Sequence, residues 1–304
     1  GEDVAVNGGV FRATDNLRQE FGLKRVMDTP FAEAMIAGMA VGMSAQGLRP
    51  VAEIQFSGFI FAAMEQLIAH AARMRNRTRG RLFCPLVIRA PYGGGIHAPE
   101  HHSESIEAMF AHTPGLRVVI PSSPRRAYGL LLSAIQNNDP VIFLEPKRMY
   151  RYSKSDVTDT GQGLPLDKCF IVKPGKDISL ITWGAMLIET LEAAENLENS
   201  GISCEVIDVA TLAPMDHLTL LKSVRKTGRC CVIHEAARHC GVGAEIAATI
   251  SEYAFSSLKA PIGRITGFDT TMPYFKNESY YLPSAQKIIE TVTEIVQYGK
   301  SSSE

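Results

Sequence analysis

The chain offers two places where residue type and spacing could do chemistry. The first is Glu33, in the segment Asp28-Thr29-Pro30-Phe31-Ala32-Glu33-Ala34-Met35-Ile36-Ala37-Gly38-Met39-Ala40-Val41-Gly42. Glu33 is the only charge after Asp28 in a run of small and apolar residues suited to a buried helix. An unpaired carboxylate there is costly, so Glu33 must be paired, protonated or working. The second is Ala90-Pro91-Tyr92-Gly93-Gly94-Gly95-Ile96-His97-Ala98-Pro99-Glu100-His101-His102-Ser103-Glu104-Ser105, with three histidines in six residues. Imidazoles suit proton transfer or metal binding near neutral pH. His97 and His101 are spaced as a helical zinc pair, but Pro99 lies between them and three glycines precede them, which opposes a helix. No cysteine is close enough to complete a thiolate site. General acid/base work is the favoured reading of this loop, and a solvated loop the plain one. The glycines permit either close backbone approach or mobility.

Phe59, in Gln55-Phe56-Ser57-Gly58-Phe59, follows a strand pattern and opens a helical one. It could stack on a planar ligand, although a core phenylalanine is the better reading of the residue alone. Five arginines in nine residues, Arg73 to Arg81, end that helical pattern. They suit an anionic ligand or acidic partner, or a solvated helix C-terminus favoured by the helix dipole. There is no G-x-x-x-x-G-K-[ST] or G-x-G-x-x-G motif, so nucleoside triphosphate and dinucleotide readings lose their main support.

These residues need a scaffold, and short apolar runs alternate with helical patterns almost throughout. Strands are predicted at Val51–Phe56, Pro85–Ala90, Arg117–Ile120, Val141–Leu144, Ile178–Trp183, Cys204–Val209, Cys230–His234 and Ile262–Thr266. Helices are predicted at Phe59–Arg75, Pro124–Gln136, Met186–Asn199, Asp216–Lys226, Gly243–Ala254 and Ala285–Tyr298. Strands apolar on both faces, alternating with helices, predict an α/β fold with parallel sheets. The glycine-histidine loop then lies at the carboxyl end of a strand, where α/β sheets bind ligands. The polar, turn-rich stretch from Tyr152 to Lys168 reads as a linker between two domains, residues 1–160 and 161–304.

The 304 residues suffice for two cores, and 45% hydrophobic content is ordinary for a globular chain. Lys+Arg of 31 against Asp+Glu of 32 gives no electrostatic case for nucleic acid or a membrane surface. No apolar run reaches the roughly 18 residues of a membrane span. Six cysteines without a C-x-x-C read as reduced core residues of an intracellular protein. The chain opens at Gly1-Glu2-Asp3 without methionine, in what reads as mid-loop, so a preceding segment is expected.

Taken together, these segments resemble the beta subunit of the thiamine diphosphate-dependent decarboxylating component of 2-oxo acid dehydrogenase complexes, in the transketolase-like superfamily. The resemblance covers the whole chain. It is carried by Gly1-Glu2-Asp3-Val4, Asn7-Gly8-Gly9-Val10-Phe11-Arg12, Asp28-Thr29-Pro30 with Glu33, Ala52-Glu53-Ile54-Gln55-Phe56, and Gly93-Gly94-Gly95 with His102-Ser103. Further carriers are Pro114-Gly115-Leu116, Phe143-Leu144-Glu145-Pro146-Lys147 with Tyr150-Arg151, Glu205-Val206-Ile207-Asp208, Lys226-Thr227-Gly228-Arg229 and His234-Glu235-Ala236. It implies a pyrimidine-binding α/β domain followed by a smaller transketolase C-terminal domain.

The resemblance also implies a cofactor shared between two chains. The alpha chain would supply a Gly-Asp-Gly motif for Mg2+ and the diphosphate, and this chain contains no Gly-Asp-Gly. An alpha2beta2 heterotetramer and a lipoyl-bearing acyltransferase core are the implied partners. Glu33 matches the glutamate that activates the cofactor through a pyrimidine nitrogen. Phe59 matches the aromatic that stacks on that ring, and Gln55 and Phe31 are placed beside it. His102 matches the histidine that assists proton transfer during lipoyl acylation, while His97 and His101 match no assigned role. A monovalent cation such as K+ would use carbonyls near Leu86, Ala134, Ile135 and Asn137, with Asp139. The implied location is cytoplasmic in a bacterium, or the mitochondrial matrix in a eukaryote.

Two substrates compete. Ile96-His97-Ala98-Pro99-Glu100 looks like bacterial pyruvate enzymes, whereas Phe143-Leu144-Glu145-Pro146-Lys147 and Thr266-Gly267-Phe268-Asp269-Thr270 look more like the branched-chain group. Pyruvate is favoured. The alternatives are a 2-oxoisovalerate enzyme, an acetoin-cleaving or other thiamine enzyme, and a non-catalytic scaffold, which would be expected to lose Glu33 or His102.

Overall fold

Strands apolar on both faces demand cover on both faces, and the chain supplies it twice. The computed structural model describes residues 1–299. Its ten strands are β1 (Val51–Glu53), β2 (Val87–Tyr92), β3 (Arg117–Val119), β4 (Val141–Pro146), β5 (Phe170–Lys173), β6 (Ile178–Thr182), β7 (Cys204–Asp208), β8 (Thr211–Ala213), β9 (Cys230–Ala237) and β10 (Gly263–Gly267). The longer helices are α1 (Glu33–Ala45), α2 (Pro124–Gln136), α3 (Leu187–Asn199), α4 (His217–Thr227), α5 (Val242–Ala254) and α6 (Ala285–Gln297).

The first sheet runs β1-β2-β4-β3-β8 and the second β10-β9-β6-β7-β5. Pairing is parallel except at one edge of each sheet, where β8 is antiparallel to β3 and β5 to β7. Residue 152 to residue 169 forms no strand or long helix, and most of it is exposed. The strand β8 comes from beyond that stretch yet completes the first sheet, so the two halves share backbone pairing. They also share a core. One buried apolar cluster runs from Ile88, Ile120 and Leu144 to Ile181, Trp183, Ile207 and Val232. Fully buried side chains of this size contribute roughly 1.5–3 kcal/mol each.

Helix ends follow local chemistry. The Ser123 side chain accepts from the Arg126 N–H, with Pro124 at the first helical position of α2. Asp216 accepts from the Thr219 N–H at the start of α4, and Gly228 ends that helix at φ 74°.

Two sequence expectations change. The helix predicted over Phe59–Arg75 is wound instead as a 3-10 segment (Ser57–Ala63), a π segment (Glu65–Ala71) and a short α turn (Met74–Arg77). Such irregular winding often marks a functional site. The run holding Glu33 is a helix, but one side of it is open: Met35 is 42% and Met39 40% exposed. Glu33 itself is half-buried in the first turn of α1, where the helix dipole favours a carboxylate. The cysteines Cys84, Cys204, Cys230 and Cys231 are buried as expected, whereas Cys240 is exposed.

Candidate active site

Parallel β1 and β2 end side by side, and the segments that follow them meet. After β1 the chain turns into the 3-10 segment carrying Phe59, and after β2 it enters the glycine-histidine loop. The His102 ring lies 4.3 Å from the Phe56 ring and 5.4 Å from that of Phe59, both edge-on. The His101 ring stands 5.0 Å from Phe59. Ser57 Oγ donates to the Glu104 carbonyl (3.0 Å), fastening the two segments. The structure thus brings Phe59 and His102 together, and gives the glycines their reason. A Cβ on Gly93 would stand 2.1 Å from Glu235 Oε1, and one on Gly95 2.5 Å from Arg148 Cδ. Close approach, rather than mobility, is what these glycines serve.

The α1 helix, with Glu33 in its first turn, packs on both the 3-10 and π segments. Glu33 makes no ion pair or side-chain hydrogen bond among the described residues. Its neighbour is Glu2, read from the sequence only within a matching motif and without a role. Glu2 is 3% exposed and its Oε1 has no hydrogen-bond partner. Burial, and then the charge of Glu33, push the Glu2 carboxyl above its usual range. Gln55 is half-buried and donates to Asp3 Oδ2 (3.1 Å), so its amide braces the N-terminal loop. Phe31 is 78% exposed just before α1.

The His102 imidazole is held below its ordinary range, first by partial burial and then by His101 and Lys147. It is therefore mainly neutral at pH 7, and its buried Nδ1 has no partner. Beneath the site, Arg89 donates to Glu145 through Nε (2.7 Å) and Nη2 (2.8 Å), and to Glu53 through Nη1 (2.7 Å). Tyr150 also donates to Glu145. Glu53 and Glu145, read from the sequence only as matching motifs, thus form one buried brace with Arg89 across β1, β2 and β4, and Tyr150 caps it from the segment after β4.

A second polar cluster lies between the two sheets. Trp183 Nε1 donates to Glu107 (3.3 Å), and Glu235 acts on Glu107 as a like charge. Burial pushes Glu107 up to about 7, and it pushes Glu235 upward as well. Lys147, close to both Glu235 and Glu278, is drawn down by burial to about 8. These residues sit in unrelated sequence contexts, so only the fold reveals the cluster.

Of the residues expected to hold a cation, Ile135 and Asn137 share one partner, the Arg49 guanidinium. Arg49 Nη1 donates to the carbonyls of Ile135 (3.0 Å) and Asn137 (2.7 Å). The Leu86 carbonyl accepts from Val141 N–H, and that of Ala134 from Asn137 N–H. Asp139 pairs with Arg75 (2.7 Å). A guanidinium already supplies positive charge there, so a cation fits only by sharing these oxygens. Arg75 is the one residue of the basic run so engaged by Asp139, and it also covers the Phe83 ring at 4.5 Å. Among the described residues no group of three or more His, Cys, Asp or Glu could hold a metal ion.

The arrangement fits a flat, nitrogen-bearing ring. Phe56 and Phe59 offer aromatic surface, and Glu33, Glu2 Oε1 and His102 Nδ1 offer polar atoms without partners among the described residues. Such orphaned groups beside an aromatic wall are what a polar cofactor would satisfy.

Residues 1–153 match the family model described as transketolase, pyrimidine binding domain, and residues 167–288 match transketolase, C-terminal domain. The chain is 47% identical over 298 residues to the pyruvate dehydrogenase E1 component subunit beta of Bacillus subtilis, covering 98% of this chain and 92% of that one. The Staphylococcus aureus subunit of the same name is 47% identical over the same shares. That of Acholeplasma laidlawii is 48% identical over 98% of this chain and 91% of its own. A solved structure titled split gene transketolase, inactive beta4 tetramer, superposes with a TM-score of 0.75 at 22% identity, covering 95% of this chain and 87% of that one. That likeness is one of fold.

Proposed function

The chain belongs to the family of pyruvate dehydrogenase E1 beta subunits, and from that premise we propose that it completes a thiamine diphosphate site with an alpha subunit to decarboxylate pyruvate and acylate a lipoyl domain. The meeting of Phe59 and His102, with the helix that bears Glu33 packed on the segment of Phe59, carries this reading. The relatives named above are pyruvate enzymes by name, which favours pyruvate over branched-chain 2-oxo acids.

Bound thiamine diphosphate supplies a nucleophilic carbon and a sink for the electron pair released as carbon dioxide leaves. Glu33 would hold a proton at a pyrimidine ring nitrogen. Phe59, with Phe56, would lie against the ring and exclude water, while Gln55 and Phe31 border it. Neutral His102 would move a proton during transfer of the acyl group to the lipoyl sulfur.

Mg2+ and the diphosphate are assigned to the alpha subunit, because this chain carries no Gly-Asp-Gly. The assembly implied is an alpha2beta2 heterotetramer docked on a lipoyl-bearing acyltransferase core. Potassium at Leu86, Ala134, Ile135, Asn137 and Asp139 would share its oxygens with Arg49. No helix among the described residues is long and apolar enough to cross a membrane, and the bacterial cytoplasm is the compartment this reading implies. The domain division at residues 160/161 belongs to the same proposal.

The test is co-expression with an alpha chain, followed by assay with thiamine diphosphate, Mg2+ and either pyruvate or 2-oxoisovalerate. Carbon dioxide release and acetylation of a lipoyl domain from pyruvate are expected. Release from neither 2-oxo acid would overturn the reading.

A further inference from the structure

The loop that carries His102 is held from the other half of the chain by one buried carboxylate. Glu278 opens the short helix Glu278–Tyr281 and is 1% exposed. Its Oε1 accepts from the Gly95 N–H (2.5 Å) and its Oε2 from the His97 N–H (2.8 Å). The His97 Nδ1 lies 2.7 Å from the same Oε2. Both backbone positions are left-handed, Gly95 at φ 87° and His97 at φ 58°. That conformation is costly for a residue with a Cβ, so His97 needs a partner to hold it there. Neighbouring groups complete the grip. Glu235 Oε2 accepts from the Gly94 N–H (3.4 Å), Lys147 Nζ donates to the Gly93 carbonyl, and the Phe275 ring stands 4.6 Å from that of His97.

From His97 the constraint passes to His102 through a short, internally bonded turn. The His102 N–H donates to the Pro99 carbonyl (2.9 Å), and Ser103 Oγ to that of Ala98 (3.3 Å). Beyond His102, Ser57 fixes the Glu104 carbonyl to the segment bearing Phe59. The turn is thus anchored at one end by the 3-10 segment after β1 and at the other by the second half of the chain.

We propose that Glu278 is a positioning residue for His102: it clamps the Gly93–His97 backbone so that the imidazole faces the site. It touches neither Phe59 nor Glu33 in any contact described above. Its loss would act on the step that uses His102 and spare the step that uses Glu33. This rests on the proposed function, and its test separates the two.

Glu278→Gln keeps the size of the side chain but turns one acceptor into a donor facing an N–H. The variant, assembled with the alpha subunit, is assayed twice: for acetylation of a lipoyl domain, and for pyruvate-dependent reduction of ferricyanide, which bypasses the lipoyl group. Lipoyl acetylation is expected to fall about tenfold or more, as misplacement by about an ångström can cost. The ferricyanide rate is expected to stay within about twofold of the parent. In a His102→Ala background the same substitution should add no further loss, because the two residues act as one unit. Amide hydrogen exchange should rise across residues 93–102 and stay unchanged in β2. Equal falls in both assays, no fall in either, additive losses, or unaltered exchange would each overturn the proposal. If the parent assembly is inactive in both assays, the proposed function fails instead, and the exchange measurement still decides whether Glu278 is a clamp.

Discussion

Gly58 lies so close to His101 that a Cβ added to it would stand 2.1 Å from the His101 carbonyl oxygen. The obstacle is backbone, so it cannot swing aside as a flexible side chain could. Gly58→Ala must therefore push the histidine loop away from the segment bearing Phe59. We expect kcat for the full reaction to fall by about tenfold to a hundredfold, since displacements of this size disrupt catalytic geometry. Steady-state kinetics of the reconstituted enzyme check this, and parental kcat in the alanine variant would contradict the packing described.

Glu33 has no ion pair or side-chain hydrogen bond among the described residues, and it shares its surroundings with buried Glu2. Neutralising it gives up a helix-dipole interaction but also removes the like charge that acts on Glu2, so the two effects offset. Glu33→Gln is accordingly expected to assemble with the alpha subunit and to unfold at the parental temperature or slightly above. Its turnover should fall by at least about a hundredfold, the scale on which positioned proton-transfer groups act. Size-exclusion chromatography, thermal melts and carbon dioxide release check the three parts. A fully active variant would remove Glu33 from the mechanism.

How far the sequence reached depended on whether a feature was local. The α2 helix was legible to the residue, because Ser123 and Pro124 mark its start by short-range chemistry. Parallel strands such as β6 and β9 were legible as apolar runs. The edge strands β5 and β8 were not: each is three or four residues long and antiparallel, and β8 pairs with a strand from the other half of the chain. Phe59 and His102 were found by motif, but their contact needed β1 and β2 to be neighbours. Glu2 entered only within a matching motif and Glu278 not at all, because nothing in their flanking residues reveals that the fold buries them. Glu33 erred the other way. An apolar run suggested burial on all sides, whereas α1 keeps Met35 and Met39 on an open face.

Arg49 donates to two of the carbonyls that a monovalent cation would use. Guanidinium and such a cation would therefore compete for the same lone pairs. Arg49→Ala is expected to lower the melting temperature in choline chloride, by the loss of three hydrogen bonds including one to Asn138 Oδ1. Exchanging choline for potassium at equal ionic strength should then raise the melting temperature more in the variant than in the parent, because binding to the native state stabilises it. An identical response in both proteins would show that Arg49 and the cation do not share a site.

Glu107 sets a pH dependence of stability that can be isolated. It is fully buried, accepts from Trp183 Nε1, and is pushed up by burial to about 7 from an ordinary value of 4.5. The folded state thus retains a proton on this group that the unfolded state has already released. Its contribution to stability is complete below about pH 4.5 and is lost as pH rises through about 7, by proton linkage. His234 works in the opposite sense. Burial holds it down to about 3, so its stabilising term is present above its ordinary 6.5 and is lost on acidification. Between about pH 4.5 and 6.5 the slopes of the two groups therefore oppose each other. Glu107→Gln keeps an oxygen for Trp183 but cannot ionise, which removes one slope and leaves the other. Compared with the parent, the variant is expected to melt at a similar temperature at pH 5 and a few degrees higher at pH 8. Thermal melts across that range read the difference directly. A constant offset between the two proteins at every pH would mean that Glu107 does not titrate in this window.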